Sequence, residues 1–482
     1  MNWVEEELKY ADLGDTRRNK RLVKIVEDLA EQPNASVTQA ARDDAALQGL
    51  YDFWSNRRIK LGEIIKAHTA KTSERISELN YVLLIQDTTE LDYSHQHKQG
   101  MGRLSGEGRQ GLKVHSTLCA SVSGVPMGLI GQKVWAREKK HRSPEQEEKK
   151  KDIEKRESQR WIESLEKSQE VLPLGVRGIT VADREADIHK LLVKHKHLGA
   201  DFIIRACQNR RSIELINRKG RKQPLWDAVR ELPRKGKISI KLQRTPKRKK
   251  VRTALLSIRY GTVPLRPPES ASAKEKKEKL TTQVILAEEE NPPPGEEAVV
   301  WLLLTSLEVN SLKQSEKILE LYSYRWLIER YHYTLKSGCN LEKLQLKKAE
   351  RIERALETYS IVAWRLLWLI YSSRENPEQP ATVALSEEEW CSLRYIVNKN
   401  SIEEEISVPS LGECIHSIAS LGGFLGRNRD GEPGVKTLWR GMQRLKDIAR
   451  AWAMLWSNII EPLMEQVREL LEMLKAAYCL RY

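Results

Sequence analysis

Cysteine is scarce and scattered in this sequence: Cys119, Cys207, Cys339, Cys391, Cys414 and Cys479 stand far apart, with no close pair among them. That spacing excludes a disulfide scaffold and a cysteine-type zinc site, and reduced thiols point to the cytosol. Long apolar runs are missing as well. The most hydrophobic helical stretch, Tyr359 to Tyr371, is interrupted by Arg365 and falls short of the roughly 18 residues a bilayer span needs, so it reads as a buried core helix. No basic-then-apolar secretory signal opens the chain, and the protein is expected to stay inside the cell. Neither a GxxxxGK nucleotide loop nor a His-Glu-x-x-His motif is present, and no internal repeat is found.

Acidic charge is the remaining deficit. Against 82 Lys and Arg stand 67 Asp and Glu, leaving a net +15, which implies a polyanionic partner. The 40% of hydrophobic residues suffices for a substantial core, and 482 residues exceed what one core usually organises, so two or three domains are expected.

Residues 1–62 show helical periodicity with stop signals near Gly14, Pro33 and Asn56, which predicts a small helical domain. Within it, Asp15 is placed to cap a helix on which Arg17, Arg21 and Lys24 share one face, suited either to a phosphate backbone or to plain solvent. From Tyr81 the pattern becomes strand-like. Tyr81 to Gln86 reads as a buried strand ending at Asp87; Gly111 to Ser121 and Val125 to Ala136 read as a hairpin about Ser123-Gly124. A charged helix follows from about Ser143 to Ser168, then a strand over Gly178 to Ala182 ending at Asp183, a helix over Glu185 to Lys194, and a strand over Asp201 to Cys207. After an interruption come a strand over Val299 to Thr305 and a helix from Ser311. The interruption, 208–298, is strongly basic: Arg234 to Arg252 holds ten Lys or Arg and no acid, in a partly alternating pattern that predicts an inserted β subdomain. Its tip is expected at Ser270 to Lys279 and its return at Pro292-Pro293-Pro294. The whole stretch 63–375 is expected to form one α/β domain. Residues 376–482 are expected to be helical, with the amphipathic run Leu438 to Leu480 as an oligomerisation surface.

In α/β sheets reacting groups collect at the carboxyl ends of strands, which singles out Asp87 and Asp183. A lone Asp there is as readily a turn former or helix cap. A third acid stands on the helix after the interruption, where Tyr322, Arg325, Glu329 and Lys336 fall at offsets 0, 3, 7 and 14. On a regular helix these share a stripe about 60° wide and about 21 Å long. The plain alternative is a solvent-exposed Arg325–Glu329 pair at four-residue spacing. Three carboxylates in a basic protein suit hard cations such as Mg²⁺, which prefer oxygen ligands and in pairs promote phosphodiester displacement. Among nearby acids Asp187, Glu185, Glu90, Asp92 and Glu320 are rivals; Asp187, the nearest, is placed on the helix after Asp183. His115 is read as a strand histidine for want of a His or Cys partner at ligand spacing.

The pattern Tyr322-x2-Arg325-x3-Glu329-x6-Lys336 resembles the Tyr-Arg-Glu-Lys signature of bacterial insertion-sequence transposases with a DDE site. Gln86-Asp87-Thr88-Thr89, Asp183-Arg184-Glu185-Ala186-Asp187-Ile188 and Trp301-Leu302-Leu303-Leu304-Thr305-Ser306 resemble the Tn-five (IS-four, IS-fifty) type of cut-and-paste transposase. The likeness extends through Leu13 to Arg18 and Leu421 to Phe424, so it covers nearly the whole chain.

That resemblance implies an RNase H-like catalytic core with an inserted antiparallel β subdomain, flanked by an N-terminal helical DNA-binding domain and a C-terminal helical dimerisation domain. It implies that Asp87, Asp183 and Glu329 hold two Mg²⁺ or Mn²⁺ ions. Tyr322, Arg325 and Lys336 would grip phosphates near a hairpin, and Trp301 would stack on a flipped base, with a core aromatic as the plain alternative. End recognition would fall to Arg17, Arg18 and Arg21, to Arg205 and to the inserted strands. The partners implied are double-stranded DNA, as transposon ends and target, and a second copy of the chain in a synaptic dimer, with no membrane. Two other readings share parts of the pattern: a metal-dependent RNase H-like nuclease that never joins ends, and a non-catalytic end-binding repressor.

Overall fold

The computed structural model describes the chain except residues 1, 138–145, 208–211, 215–221, 243–251, 269–270, 272–275, 279, 398–406, 428–429 and 480–482. Two compact units result, and neither is continuous in sequence. One comprises 62–332 and 346–353; the other comprises 1–61, 333–345 and 354–482. The partition differs from the three segments expected above, since the carboxyl-terminal part of the 63–375 stretch packs with the helical unit. Tyr359 shows why: its ring lies buried, 6.1 Å from that of Trp54 in the amino-terminal helices.

The first unit is built on one mixed sheet. Its strands are β1 (Tyr81–Asp92), β2 (Gly102–Arg103), β3 (Gln110–Ser121), β4 (Pro126–Trp135), β5 (Arg177–Ala182), β6 (Asp201–Arg205), β7 (Ser212–Glu214), β8 (Lys222–Pro224), β9 (Gly236–Leu242), β10 (Arg252–Leu265), β11 (Leu280–Glu289) and β12 (Val300–Thr305). They run in the order β2-β3-β1-β5-β6-β12-β11-β10-β7-β8, with β4 on β3 and β9 on β10. The three-strand meander β1, β3, β4 followed by the parallel pairs β1·β5 and β5·β6 gives the RNase H-like core, as expected. Val82 to Ile85, Ile179 to Ala182 and Phe202 to Ile204 are buried, as strands covered by helices on both faces must be.

Several expectations need correcting. β1 does not stop at Gln86 but continues to Asp92, paired along its length with β3; only the pairing with β5 ends at Gln86↔Ala182. The residues after Asp183 form a single 3-10 turn, Arg184–Ala186, and the helix begins only at His189. Asp187 therefore caps that turn instead of riding on the helix, and its Oδ2 accepts from the Cys207 amide at 2.6 Å. The inserted strands are antiparallel, as expected, and they join the catalytic sheet. β12 pairs with β6 on one side and β11 on the other, so β11, β10 and β9 prolong the catalytic sheet. The alternating pattern of Lys237 to Lys241 registered strand but carried no information about which sheet it joins. Most of the tip expected at Ser270 to Lys279 lies outside the described residues.

The helical unit contains the Thr16–Glu31 helix, capped by Asp15, whose carboxylate accepts from the Arg17 amide at 2.9 Å. Leu22, Ile25, Val26 and Leu29 are buried, while Arg17, Arg21 and Lys24 are exposed on the opposite stripe. At its carboxyl-terminal end the Leu411–Leu421 and Val435–Leu455 helices pack backbone to backbone: a methyl on Gly441 would sit 1.7 Å from the Ile418 carbonyl oxygen, and one on Gly422 1.8 Å from that of Thr437. Among the described residues no helix is long and apolar enough to cross a membrane.

Candidate active site

The parallel register decides where the first two acids go. Ile85↔Val181 and Gln86↔Ala182 are direct partners, so the next step along both strands sets Asp87 beside Asp183. Adjacent strands are about 4.8 Å apart, and neighbours in register project to the same face. Residues ninety-six positions apart in sequence are thereby made neighbours by backbone hydrogen bonds alone. Asp87 is held rigidly by β3, opposite Ser116, and its Oδ1 accepts from the Thr88 amide at 2.8 Å. Asp183 leaves the sheet in extended conformation, and its carboxylate accepts from the Glu185 amide at 2.9 Å.

Their closeness has an electrostatic signature. Burial first, and then the charge of Asp183, push the Asp87 carboxyl up to about 7, with a smaller push from Glu185; the Thr88 amide and Arg325 act the other way. Two carboxylates on adjacent strands resist ionising together. A divalent cation between them relieves that repulsion, and so the donor set fits one.

Glu329 approaches through an intermediary. Its Oε1 is 2.5 Å from Nη2 of Arg325, one turn earlier, and Arg325 also feels Asp183 and Asp87. Thus one guanidinium interacts electrostatically with all three acids. Among the described residues no three His, Cys, Asp or Glu side chains stand close enough together to share an ion. Asp87 and Asp183 form the pair, and Glu329 is turned to its Arg325 partner.

The helix carrying these residues is not the straight rod that the offsets assumed. An α-helix ends at Ser323, whose hydroxyl bonds back to the Glu320 carbonyl at 2.6 Å, and a new one runs Trp326–Tyr333. Such back-bonding by Ser competes with the backbone ladder and bends helices. From Thr334 to Gly338 the turn widens to a π-helix, which changes the angular step before Lys336. The Tyr322–Arg325–Glu329 grouping survives the bend. Lys336 belongs to the helical unit, where its Nζ lies 3.5 Å from Glu342.

Around Arg325 gathers a set of aromatic and cationic groups. Tyr322 is buried, and its phenol is raised by burial despite the nearby Arg325 and Arg205 guanidiniums. Trp301 on β12 meets the Tyr322 ring edge-on at 5.3 Å and is half-buried. Arg205, at the end of β6, donates to the Val300 carbonyl at 2.8 Å; burial lowers its pKa, and Arg184 and Arg325 add to that lowering. Three cations sharing so small a region favour an anion there.

The rival acids have other work. Glu90 accepts from the Ser105 amide and hydroxyl, Asp92 from Ser94 and Arg109, and Glu320 pairs with Lys317. His115 is a buried strand residue whose Nδ1 is 2.9 Å from the Thr88 hydroxyl. In the helical unit Arg17 is highly exposed and pairs with Asp15, Arg18 donates to the Leu13 carbonyl at 2.6 Å, and Arg21 lies exposed beside Gly49.

Three residues of the first unit were missed from sequence. Arg184 joins the cations near Arg205. His332 places its Nδ1 3.8 Å from Asp87 Oδ2; its position three residues after Glu329, on the same helical face, was a usable signal. Arg160 reaches the site from the Gln146–Val171 helix and was hidden in a charged run.

Three family models match the chain in an order that agrees with this architecture: transposase DNA-binding over residues 1–59, transposase DDE domain over 141–365, and transposase Tn5 dimerisation domain over 361–453. The second spans Asp183 and Glu329, while Asp87 lies ahead of it on β1. Sheet order, paired aspartates and this succession of domains agree: the chain belongs to the Tn5-like DDE transposases, proteins that bind DNA, dimerise and catalyse metal-dependent phosphoryl transfer.

Proposed function

We propose that the protein excises an insertion sequence by binding its terminal inverted repeats and then joins the freed ends to target DNA, with Asp87, Asp183 and Glu329 holding two Mg²⁺ ions, or Mn²⁺ as substitutes. The observation that carries this reading is the register-fixed Asp87–Asp183 pair, with Asp87 raised to about 7. Bound there, the ions would supply an activated nucleophile and stabilise the leaving oxygen. Glu329 would complete the ligand set on exchanging Arg325 for metal, which would turn the guanidinium toward phosphate. Tyr322 and Arg205 flank that guanidinium and would orient the same phosphate, with Lys336 gripping a neighbouring one. Trp301, half-buried against Tyr322, would stack on an extruded base.

The proposed reaction is four phosphoryl transfers at one site. Water breaks one strand at each end and leaves a 3′-hydroxyl. That hydroxyl attacks the opposite strand to form a hairpin, water reopens it, and the same hydroxyl finally attacks target DNA. Arg17, Arg18 and Arg21 would contact end DNA, together with the basic inserted strands, and two protomers would cleave in trans within a synaptic dimer. The setting is the bacterial cytoplasm, at the nucleoid.

The test is incubation of the protein with Mg²⁺ and DNA bearing two element ends. Hairpins and joined products are expected. Nicks without hairpins or joining would indicate a nuclease, and binding without scission a repressor.

A further inference from the structure

Behind the two aspartates lies a buried cation that the reaction scheme does not use. Arg160 is 7% exposed, and its guanidinium carbon lies 5.6 Å from the ring centroids of both Trp135 and Trp161. Its Nε donates to the Thr88 hydroxyl at 3.1 Å, and its Nη2 to Glu185 Oε2 at 3.0 Å. Thr88 is the residue after Asp87, and Glu185 donates the amide that Asp183 accepts. One side chain therefore ties together the two backbone segments that orient the two acids.

We propose that Arg160 is a positioning residue for the Asp87–Asp183 pair, a guanidinium staple that holds the strand after one acid to the turn after the other so that both carboxylates face one cation. The inference rests on the assignment of those aspartates as metal ligands.

Hydrogen-bond directions support the staple. A guanidinium only donates, so the Thr88 hydroxyl accepts from Arg160, and its oxygen also makes a hydrogen bond with His115 Nδ1, 2.9 Å away. His115 is buried in its neutral form. Burial and the nearby Arg160 charge lower its pKa well below the ordinary value, in agreement. The His115 ring in turn packs edge-on against Trp161 at 4.6 Å, which closes the chain of contacts on the helix that carries Arg160. A purely structural plug between two indoles would be an apolar side chain, because burying a charge is costly unless its hydrogen bonds are specific. The fork geometry is what an apolar side chain lacks, and it points at the two segments next to the acids. Parallel pairing of β1 and β5 ends at Gln86↔Ala182, one residue short of the acids, so the staple begins where the sheet's own hydrogen bonds stop.

The test compares full-length Arg160→Met, Arg160→Lys, Thr88→Val and Glu185→Gln with the parent protein. Each is assayed for Mn²⁺ binding by electron paramagnetic resonance, end binding by gel shift, and cleavage as a function of metal concentration. Arg160→Met should weaken Mn²⁺ binding by about 10- to 100-fold, the usual cost of losing a group that orients metal ligands, while end binding is unchanged. Arg160→Lys should recover part of the loss, since an ammonium donates without the planar fork. Thr88→Val should show a smaller loss, and combining it with Arg160→Met should add nothing further. Mn²⁺ affinity in Arg160→Met equal to the parent's overturns the proposal. Should that variant fail to fold, unaltered Mn²⁺ affinity in Thr88→Val and Glu185→Gln overturns it equally. Asp87→Ala runs alongside: if it binds Mn²⁺ normally, the ligand assignment itself has failed, independently of Arg160.

Discussion

At the scale of single residues, Asp87 carries the electrostatic cost of the candidate site. Replacing it with Ala is expected to abolish strand cleavage while leaving end binding intact, measured by gel electrophoresis of end DNA and by gel shift. Its ionisation also bears on stability. The folded-state value of about 7 lies above the ordinary 3.8, so the fold favours the protonated acid. The resulting penalty is fully present above pH 7, shrinks as pH falls through 7, and is gone below 3.8. Asp87→Asn, in chelator and without metal, should therefore be more stable than the parent at pH 8, by about 2 kcal/mol, with the gap closing towards pH 5. Melting curves across that range check the sign, and a gap that widened on acidification would contradict it. Sequence alone singled out Asp87, Asp183 and Glu329 as candidates, because a turn-forming acid after an apolar run and a spaced motif are local patterns; the structure sets the first two side by side and turns the third to Arg325. Arg160 and the Glu329–Arg325 partnership were out of reach for opposite reasons. Arg160 looks like every other charge in its helix, and its burial depends on two tryptophans from different elements. The Arg325–Glu329 pair was visible as a spacing, but whether it faces solvent or two aspartates is a matter of tertiary packing.

At the scale of elements, strand and helix limits followed the sequence wherever period and punctuation agreed. The hairpin about Ser123-Gly124 and the helix capped by Ser311 are examples. They departed where a side chain intervened: the Ser323 hydroxyl broke one expected helix in two, and the antiparallel partner β3 carried β1 past the acid that seemed to end it. Close helix packing supplies a prediction of its own. Gly422 and Gly441 allow two backbones to touch, and the obstacles to a methyl there are carbonyl oxygens that cannot rotate away. Gly441→Ala should destabilise the helical unit by about 3 kcal/mol, the upper range for overpacking, read as a drop in its melting temperature. If melting is unchanged, the close approach is not a constraint.

At the scale of the whole molecule, the +15 charge makes DNA affinity a function of salt. Each phosphate neutralised contributes a slope of about −0.9 to the logarithmic salt dependence of binding. Replacing exposed Arg17 and Arg21 together by Ala should flatten the slope for end DNA by about 2 while leaving the fold intact, measured by titration at four salt concentrations. An unchanged slope would mean that this face does not meet phosphate. Domain order, net charge and the RNase H-like strand succession were legible in advance. The fusion of the inserted strands with the catalytic sheet was not, because alternation reveals a strand without revealing its neighbour.

The partial pairing of β1 has one more consequence. As far as Gln86 this strand is laced to a neighbour on each side; from Asp87 onward only β3 holds it, and the ribbon runs on to the loop before Gln110. Asp87 thus stands one step past the last doubly anchored residue, at the start of a singly anchored strip. Insertions or deletions in that strip can reshape this end of the sheet without displacing the carboxylate. The anchored half of the strand and its freer continuation can thus change independently along one continuous piece of backbone.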